Sequence, residues 1–392
     1  MREMKDSGLE WIGEIPSDWE LTKISSVYDE RNTKVSDEDY PPLSVTKQGV
    51  VPQLETAAKT DNGDNRKLIC KNDFVINSRS DRRGSCGISE YEGSCSLINT
   101  VLMPQRHMCN RYYGYVFKSD LFADEYYRWG HGIVDDLWST KWSDMKNIYI
   151  PMPKLEEQEH RADYLDSKCS KIDEIISKQE QIIEKLKEYK LSVITEAVTK
   201  GLNPSDEMRD SGDERIGMIP RRWKVDKAKH YVKITNGSDP QTEGDVPVYG
   251  SGEKSFKSCG EYKEGPCVLI GRKGATLHIP HYITGKYWNV DTAFDVKTGP
   301  GLDLKYYYYL AFGFDYKRYI SQTTLPGMTQ TNYNNMLIPV PDIEEQRNIV
   351  SFLDSKIKKI ETLIDRYKRL VSLNTEYKQS LIYEIVTGKK EV

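Results

Sequence analysis

Between Pro153 and Gly201 the chain runs without a proline or a glycine. From Leu165 its apolar residues recur at helical spacing: Leu165, Cys169, Ile172, Ile176, then Ile183, Leu186, Val193 and Ala197. Gaps of four and three make the seam of a coiled coil. Pro153 with Glu156 and Glu157 suits a helix start, and Lys200, Gly201 and Pro204 suit a helix end. A helix of roughly 45 residues spans about 65 Å, too long for the inside of an ordinary globular domain.

The stretch occurs twice. Pro339 to Gln346 repeats Pro151 to Gln158, 188 positions on, as Pro-x-Pro-x-x-Glu-Glu-Gln. Leu353-Asp354-Ser355-Lys356 repeats Leu165 to Lys168, Glu376-Tyr377-Lys378 repeats Glu188 to Lys190, and the seam returns as Leu353, Ile357, Ile360, Ile364, Tyr367, Val371, Leu381 and Ile385. A second block repeats at an offset of 204: Met4 to Gly8 returns at Met208 to Gly212, Ile12-Gly13-x-Ile15-Pro16 at Ile216 to Pro220, and Trp19 at Trp223. Matches in one register mean internal duplication. The second interior is 16 residues shorter, so a constant frame holds two different interiors.

These blocks divide the chain into 1–153, a first variable domain; 154–201, a central spacer helix; 202–341, a second variable domain; and 342–392, a distal spacer helix. Each interior alternates short strand-like runs (Phe74 to Asn77, Thr100 to Met103, Cys267 to Ile270) with turn residues. Tyr112 to Trp129 reads as one helix with Tyr112, Val116, Phe117 and Leu121 on a shared face, and Lys305 to Tyr319 reads as its counterpart. The fold class is α+β: two mixed α/β domains with two long coiled-coil helices, in an internal repeat.

No apolar run reaches the 18 residues of a membrane span, and the first residues are polar without a signal peptide. Seven cysteines without a Cys-x-x-Cys pair fit reduced thiols in a cytoplasm. A net charge of −4 argues against a generally basic protein but leaves one positive face open.

Catalytic strings are missing. Ser238-Asp239-Pro240-Gln241 fails as an amino-methyltransferase box, and Gly271 to Thr276 lacks the spacing of a phosphate loop. His278 and His281 have no carboxylate or cysteine ligands in register and read as loop residues rather than metal ligands. Glu156-Glu157 and Glu344-Glu345 at helix starts read as complements of the dipole, not acid/base pairs.

Binding chemistry remains. Arg79, Arg82 and Arg83 share a polar loop, and arginine's forked donors match phosphate or the guanine edge. Arg272 and Lys273 lie between two glycines that let backbone approach a phosphate. Lys47, Gln48, Ser251, Thr324, Thr329 and Gln330 complete the candidate DNA-binding set. Taken singly, each also reads as a solvated loop residue. Off the seam, Ile175, Ile182, Ile194, Leu363, Leu370 and Ile382 widen the apolar stripe, which points to partner helices unless the flanking domains cover them.

The order of variable domain, long helix, variable domain, long helix resembles the specificity subunit of type I restriction–modification systems. Carrying the resemblance are the doubled Glu-Glu-Gln helix starts, the lead-in Ile-Gly-x-Ile-Pro-x-x-Trp at 12–19 and 216–223, and Leu325 to Asn332 ahead of Pro339. Ile133 to Ser139 departs from the last of these by lacking Leu-Pro-Gly. The resemblance implies two target recognition domains, two long helices packed antiparallel as a spacer in a pseudo-two-fold, and a bipartite, asymmetric site in double-stranded DNA. It implies a non-catalytic chain that binds two modification subunits and also restriction subunits. S-adenosylmethionine, ATP and magnesium would belong to those partners and no cofactor to this chain. The rival from another class is a structural adaptor with two protein- or glycan-binding domains; a further one is a fragment of a fused restriction enzyme.

Overall fold

The computed structural model describes residues 2–53, 63–105, 107–132, 138–252, 254–274, 276–314, 316 and 327–392. It divides into two compact units: unit 1 takes Met1–Gln179 and Leu370–Val392, and unit 2 takes Glu180–Arg369. Each unit therefore holds one variable domain with about half of each long helix. The central helix runs Leu155–Lys200 (46 residues) and the distal helix Ile343–Val386 (44 residues).

Within unit 1 the seam residues Leu165, Cys169 and Ile172 are buried in one cluster with Leu381, Ile382 and Ile385. Lys378 Nζ reaches Asp173 at 2.6 Å and Asn374 Nδ2 donates to Gln179 at 3.1 Å. Numbers rise on one helix as they fall on the other, so the segments run antiparallel. Within unit 2, Ile183, Leu353, Ile357, Ile360 and Ile364 are buried, and Lys190 pairs with Glu361 at 2.5 Å.

Each variable domain has its own four-stranded antiparallel sheet, and the two sheets have the same strand order. In unit 1 the order is Cys86–Ile88, Phe74–Asn77, Asn99–Pro104, Tyr28–Glu30; in unit 2 it is His281–Ile283, Cys267–Gly271, Ala293–Thr298, Val232–Asn236. The register agrees too, since Asn77 faces Asn99 and Gly271 faces Ala293, each pair 194 positions from its copy. The remaining strands differ. Unit 1 has a hairpin, Leu43–Thr46 with Gly49–Pro52, and unit 2 has a parallel pair, Val246–Tyr249 with Lys286–Asn289.

The repeated framing blocks recur because they bond to one another. The strand after the lead-in pairs with the strand before the long helix: Glu20–Lys23 with Tyr149–Met152, and Lys224–Lys227 with Leu337–Val340. Trp19 Nε1 donates to Glu157 at 3.0 Å and Trp223 Nε1 to Glu345 at 2.9 Å. Gln158 donates to the Pro153 carbonyl and accepts from Cys109 N; Gln346 donates to the Pro341 carbonyl and accepts from Asp303 N. Thus each Glu-Glu-Gln ties the lead-in to the helix start, and the second Glu has a directed partner in addition to the dipole. An ion pair survives with its charges exchanged: Arg2 with Asp18 in unit 1, Arg222 with Asp206 in unit 2. In both, the arginine also reaches the helix-start glutamate, at 2.5 Å.

A third repeat, Arg111-Tyr112-Tyr113-Gly114-Tyr115 and Lys305-Tyr306-Tyr307-Tyr308-Tyr309, docks the variable domains on the helices. Tyr112 OH donates to the Val386 carbonyl and Tyr306 OH to the Val198 carbonyl, each at the last turn of a long helix. Tyr115 OH meets Asp166 at 2.7 Å and Tyr309 OH meets Asp354 at 2.6 Å. Both long helices end on a left-handed glycine, Gly201 and Gly388 (φ 75° each), and a Cβ on Gly388 would lie 2.5 Å from Pro16.

Three expectations need correction. The single helix over Tyr112 to Trp129 is two, Asn110–Lys118 and Asp120–Arg128. The Ser119 hydroxyl caps the second by accepting from Phe122 N and donates to the Val116 carbonyl. The break turns Leu121 outward and puts Phe122 in the core. The second tyrosine helix, Leu304–Phe312, stops at Gly313. Among the off-seam residues, Ile194 (1 % exposed) and Ile382 (8 %) are buried within their own units, because the helix ends are where the tyrosine helices dock. Ile175, Leu363 and Leu370 are exposed, and Ile182 is half-buried.

Candidate nucleic-acid interface

The two basic loops predicted from sequence leave the sheet at the same place in each unit. Phe74–Asn77 runs into Ser78 to Gly84, and Cys267–Gly271 runs into Arg272 to Gly274. Ser78 N donates to the Ile98 carbonyl and Arg272 N to the Thr292 carbonyl, so both loops are anchored to the turn before the neighbouring strand. Thr140 N donates to the Ser78 carbonyl and Met328 N to the Arg272 carbonyl. Backbone bridges then join Arg79 to Ser139 and Lys273 to Gly327. Three equivalent connections in two sequences of different composition mean that the basic loops are built, not free.

Their cations are held by exposed acids. Arg79 and Arg82 lie 3.6 and 3.5 Å from Asp81, Arg83 lies 2.5 Å from Asp124, and Lys273 lies 3.4 Å from Asp291. Arg272 donates to the Asp291 carbonyl. Pairs this exposed are worth up to about 1 kcal/mol, so a phosphate can displace them. The short helical turn Ser80–Arg82 presents Arg82, the most exposed of the three arginine side chains.

Not every predicted residue joins these loops. Ser251 does: its hydroxyl sits 2.9 Å from where a Cβ on Gly274 would be. Lys47 and Gln48 form the exposed hairpin turn of unit 1, and Gln48 lines a cleft of about 480 Å³ with Tyr91, Arg111, Tyr115, Lys118 and Asp166, away from the arginine loop. Thr329 is the N-cap of the helix Gln330–Asn335, its hydroxyl accepting from Asn332 N. Gln330 donates to the Ile234 carbonyl at 2.6 Å. These two side chains thus hold the segment that bridges to Lys273. Thr324 and Leu325-Pro326 lie outside the described residues, as do Ile133 to Leu137.

Sequence reading missed the turns opposite the loops, Leu97-Ile98 and Asp291-Thr292. The Arg/Lys-Tyr-Tyr-x-Tyr repeat carries the 194-residue offset that aligns them. Among the described residues no group of three or more His, Cys, Asp or Glu could hold a metal ion, and no helix is long and apolar enough to cross a membrane. Burial pushes the Cys86, Cys95 and Cys267 thiols up to about 12, which leaves them poor nucleophiles.

Basic loops set on equivalent strand ends of two units are chemically suited to a polyanion. Residues 225–370 match the family model described as the type I restriction modification DNA specificity domain. Over 97% of this chain and 96% of the relative, it is 22% identical to a putative type I restriction enzyme MjaX specificity subunit of Methanocaldococcus jannaschii. It is 24% identical to the MjaVIII specificity subunit of the same organism, over 63% of each chain. Among solved structures, a chain from a study of complex assembly and conformational transition of the type I R-M system superposes with a TM-score of 0.75 at 14% identity, covering 96% of this chain and 99% of that one. The HsdS subunit from Thermoanaerobacter tengcongensis gives 0.51 at 16% identity, covering 96% and 98%. The chain is thus similar over nearly its whole length to specificity subunits of type I restriction–modification systems, and residues 225–370 match that family's DNA specificity domain.

Proposed function

We propose that each unit reads one half of a bipartite, asymmetric DNA site through its basic loop, Ser78 to Gly84 in unit 1 and Arg272 to Gly274 in unit 2. The observation that carries this reading is the repeated bridge, Arg79 to Ser139 and Lys273 to Gly327, which sets two different basic sequences on the same strand end. Because the interiors differ, the half-sites need not be related by symmetry. The long helices act as the ruler between them, as half-site readers are held about one turn (roughly 34 Å) apart. Exposed Ile175, Leu370, Leu373 and Tyr377 in unit 1 and Leu363 in unit 2 supply apolar surface for two modification subunits. Restriction subunits join that assembly, which works in the cytoplasm. S-adenosylmethionine, ATP and magnesium bind the partners.

The test is methylome mapping of cells carrying the modification subunit and variants of this chain. Arg79→Ala, Arg82→Ala or Arg83→Ala costs on the order of 1–3 kcal/mol for each lost bidentate base contact and relaxes the first half-site only. Lys273→Ala relaxes the second only. Removing one turn from both helices changes the number of unread base pairs and leaves both half-sites as they were. Equal loss at both half-sites from one unit's variants would sink the assignment. A chain that, with its modification subunit, binds no duplex in fluorescence polarisation would favour the protein- or glycan-binding adaptor.

A further inference from the structure

Beside the arginine loop of unit 1 stands an apolar tip. Leu97 and Ile98 are adjacent and 41% and 42% exposed. They cap a turn that is fixed at both ends. Asn99 N donates to the Ser96 carbonyl, and the Ile98 carbonyl accepts both Ser78 N at 3.2 Å and Ser78 Oγ at 2.6 Å. Ser78 directly precedes Arg79, and the strand that follows the turn pairs with the strand that feeds the loop. An exposed leucine–isoleucine pair therefore projects from the same rigid framework as three arginines. Unit 2 gives the internal control. At the equivalent turn stand Asp291 and Thr292, and Asp291 faces Lys273. The backbone connection is conserved and the side chains have changed from apolar to acidic.

We propose that Leu97 and Ile98 form a wedge that enters between base pairs of the first half-site and partly unstacks one step, while the second half-site is read without a wedge. Three considerations support it. Leucine and isoleucine are among the side chains that act as wedges, and they do so where neighbouring cations hold the phosphates on either side. Rigidity matters as much as chemistry, because a wedge on a mobile loop would fold away from the stack, and this turn is tied down by three backbone or hydroxyl hydrogen bonds. The occupant is decided by charge: the tip is anchored to Ser78, the residue that opens the loop of Arg79, Arg82 and Arg83, and these cations favour a polyanion over an apolar protein surface. An Asp at the matching point of unit 2 would meet the same polyanion with repulsion, so that turn is suited to positioning Lys273 and not to insertion. The wedge makes part of first-site specificity depend on how easily its base step deforms, which pyrimidine–purine steps do most readily.

The inference rests on the assignment of unit 1 to the first half-site, and the experiment separates the two. The complex of this chain with its modification subunits is bound to duplexes carrying the mapped site, with 2-aminopurine replacing one base at a time, the methylated adenine excluded. The expected result is a fluorescence rise at one step of the first half-site and none at the second. Leu97→Ser with Ile98→Ser abolishes the rise and weakens binding on the order of ten-fold. Leu97→Met with Ile98→Met retains it. Asp291→Leu with Thr292→Ile installs a rise at the second half-site. Specific binding and methylation with a silent 2-aminopurine at every position overturn the wedge and leave the half-site assignment standing. A rise at the second half-site alone overturns the assignment of units to half-sites.

Discussion

Position 161 in unit 1 and position 349 in unit 2 occupy the same place in the repeat, 188 residues apart, and solve different problems. Ile349 is apolar and fully buried. Arg161 is equally inaccessible, with a side chain 2% exposed. It donates to Glu157 at 2.7 and 3.0 Å and to the carbonyls of Ile385 at 2.9 Å and Lys390 at 3.0 Å, and its guanidinium lies 4.8 Å from the Trp19 ring. The Trp–Glu tie is common to both units, and in unit 1 Arg161 carries it on to backbone carbonyls at and after the end of the distal helix. One frame can therefore be closed by apolar packing or by a buried charge, and the two closures should fail differently.

The largest effect is expected at Arg161. Arg161→Ile copies the unit 2 residue into unit 1, where the Lys390 carbonyl would lose its arginine donor, the Ile385 carbonyl would keep Gly388 N, and Glu157 would lose one of its two cations. Breaking a buried pair in this way costs about 3–5 kcal/mol. Hydrogen exchange should locate the loss at 381–392 and leave 343–357 protected as before. A loss below about 1 kcal/mol, the scale of an exposed pair, would mean that the arginine is incidental.

Next come the tryptophans. Trp19→Phe and Trp223→Phe keep the ring and remove the indole N–H, and a hydrogen bond to a charged group is worth about 1.5–3 kcal/mol. Glu157 retains Arg2 and Arg161, whereas Glu345 retains Arg222 as its arginine partner. Trp223→Phe should thus be the more damaging in urea unfolding. The reverse order would show that the extra arginine of unit 1 does not buffer its glutamate.

A smaller effect tests the exchanged ion pair. Arg2→Asp and Asp18→Arg should each destabilise unit 1, and the double variant, which gives unit 1 the polarity of unit 2, should recover most of the loss. Both side chains are partly exposed, 27% and 56%, so the coupling should be roughly 0.2–1 kcal/mol. Additive single effects would break the equivalence of the two clamps.

The frame was legible in the sequence because duplication repeats its residues, and long helices with capped ends are what local periodicity describes best. Trp19 and Trp223, Glu157 and Glu345 were visible as repeats before their partners were known. Arg161 was not, because a buried arginine inside a helix reads as one more solvated charge until its carbonyl acceptors, 224 and 229 residues away, are known. The split helix escaped notice because Ser119 is polar in a run whose flanks both favour helix. For the candidate site, arginine content picked out a loop that the structure sets on the same strand end as the basic loop of unit 2. Thr329 and Gln330 were legible as polar but not as cap and backbone donor, since a side chain's partner depends on the tertiary path of a strand such as Val232–Asn236. The Leu97-Ile98 tip could not be distinguished from a strand residue by pattern alone.

The smallest effect concerns acid. Burial raises the Glu157 carboxyl, but its hydrogen bonds from Arg2 and Arg161 outweigh this and hold it below its ordinary 4.5. The Arg2 hydrogen bond likewise lowers Asp18 below 3.8. A carboxylate with a depressed value in the folded chain binds fewer protons there than when unfolded. Its stabilisation is full above the ordinary carboxylate range and is lost as pH falls through the depressed values. The helix-start clamp of unit 1 should accordingly loosen only below about pH 4. Arg161→Ile removes one of the lowering partners, so the Glu157 midpoint should rise and the acid loss should begin at higher pH. Carboxyl-carbon NMR titration of Glu157 in the wild type and the variant reads this directly. Asp213, lowered by its own neighbour Arg215 in the lead-in of unit 2, serves as the reference that should not move. If the Glu157 midpoint is unchanged and that of Asp213 also stays in place, the arginine acts through packing alone, and the polar closure of unit 1 differs from the apolar closure of unit 2 in shape but not in charge.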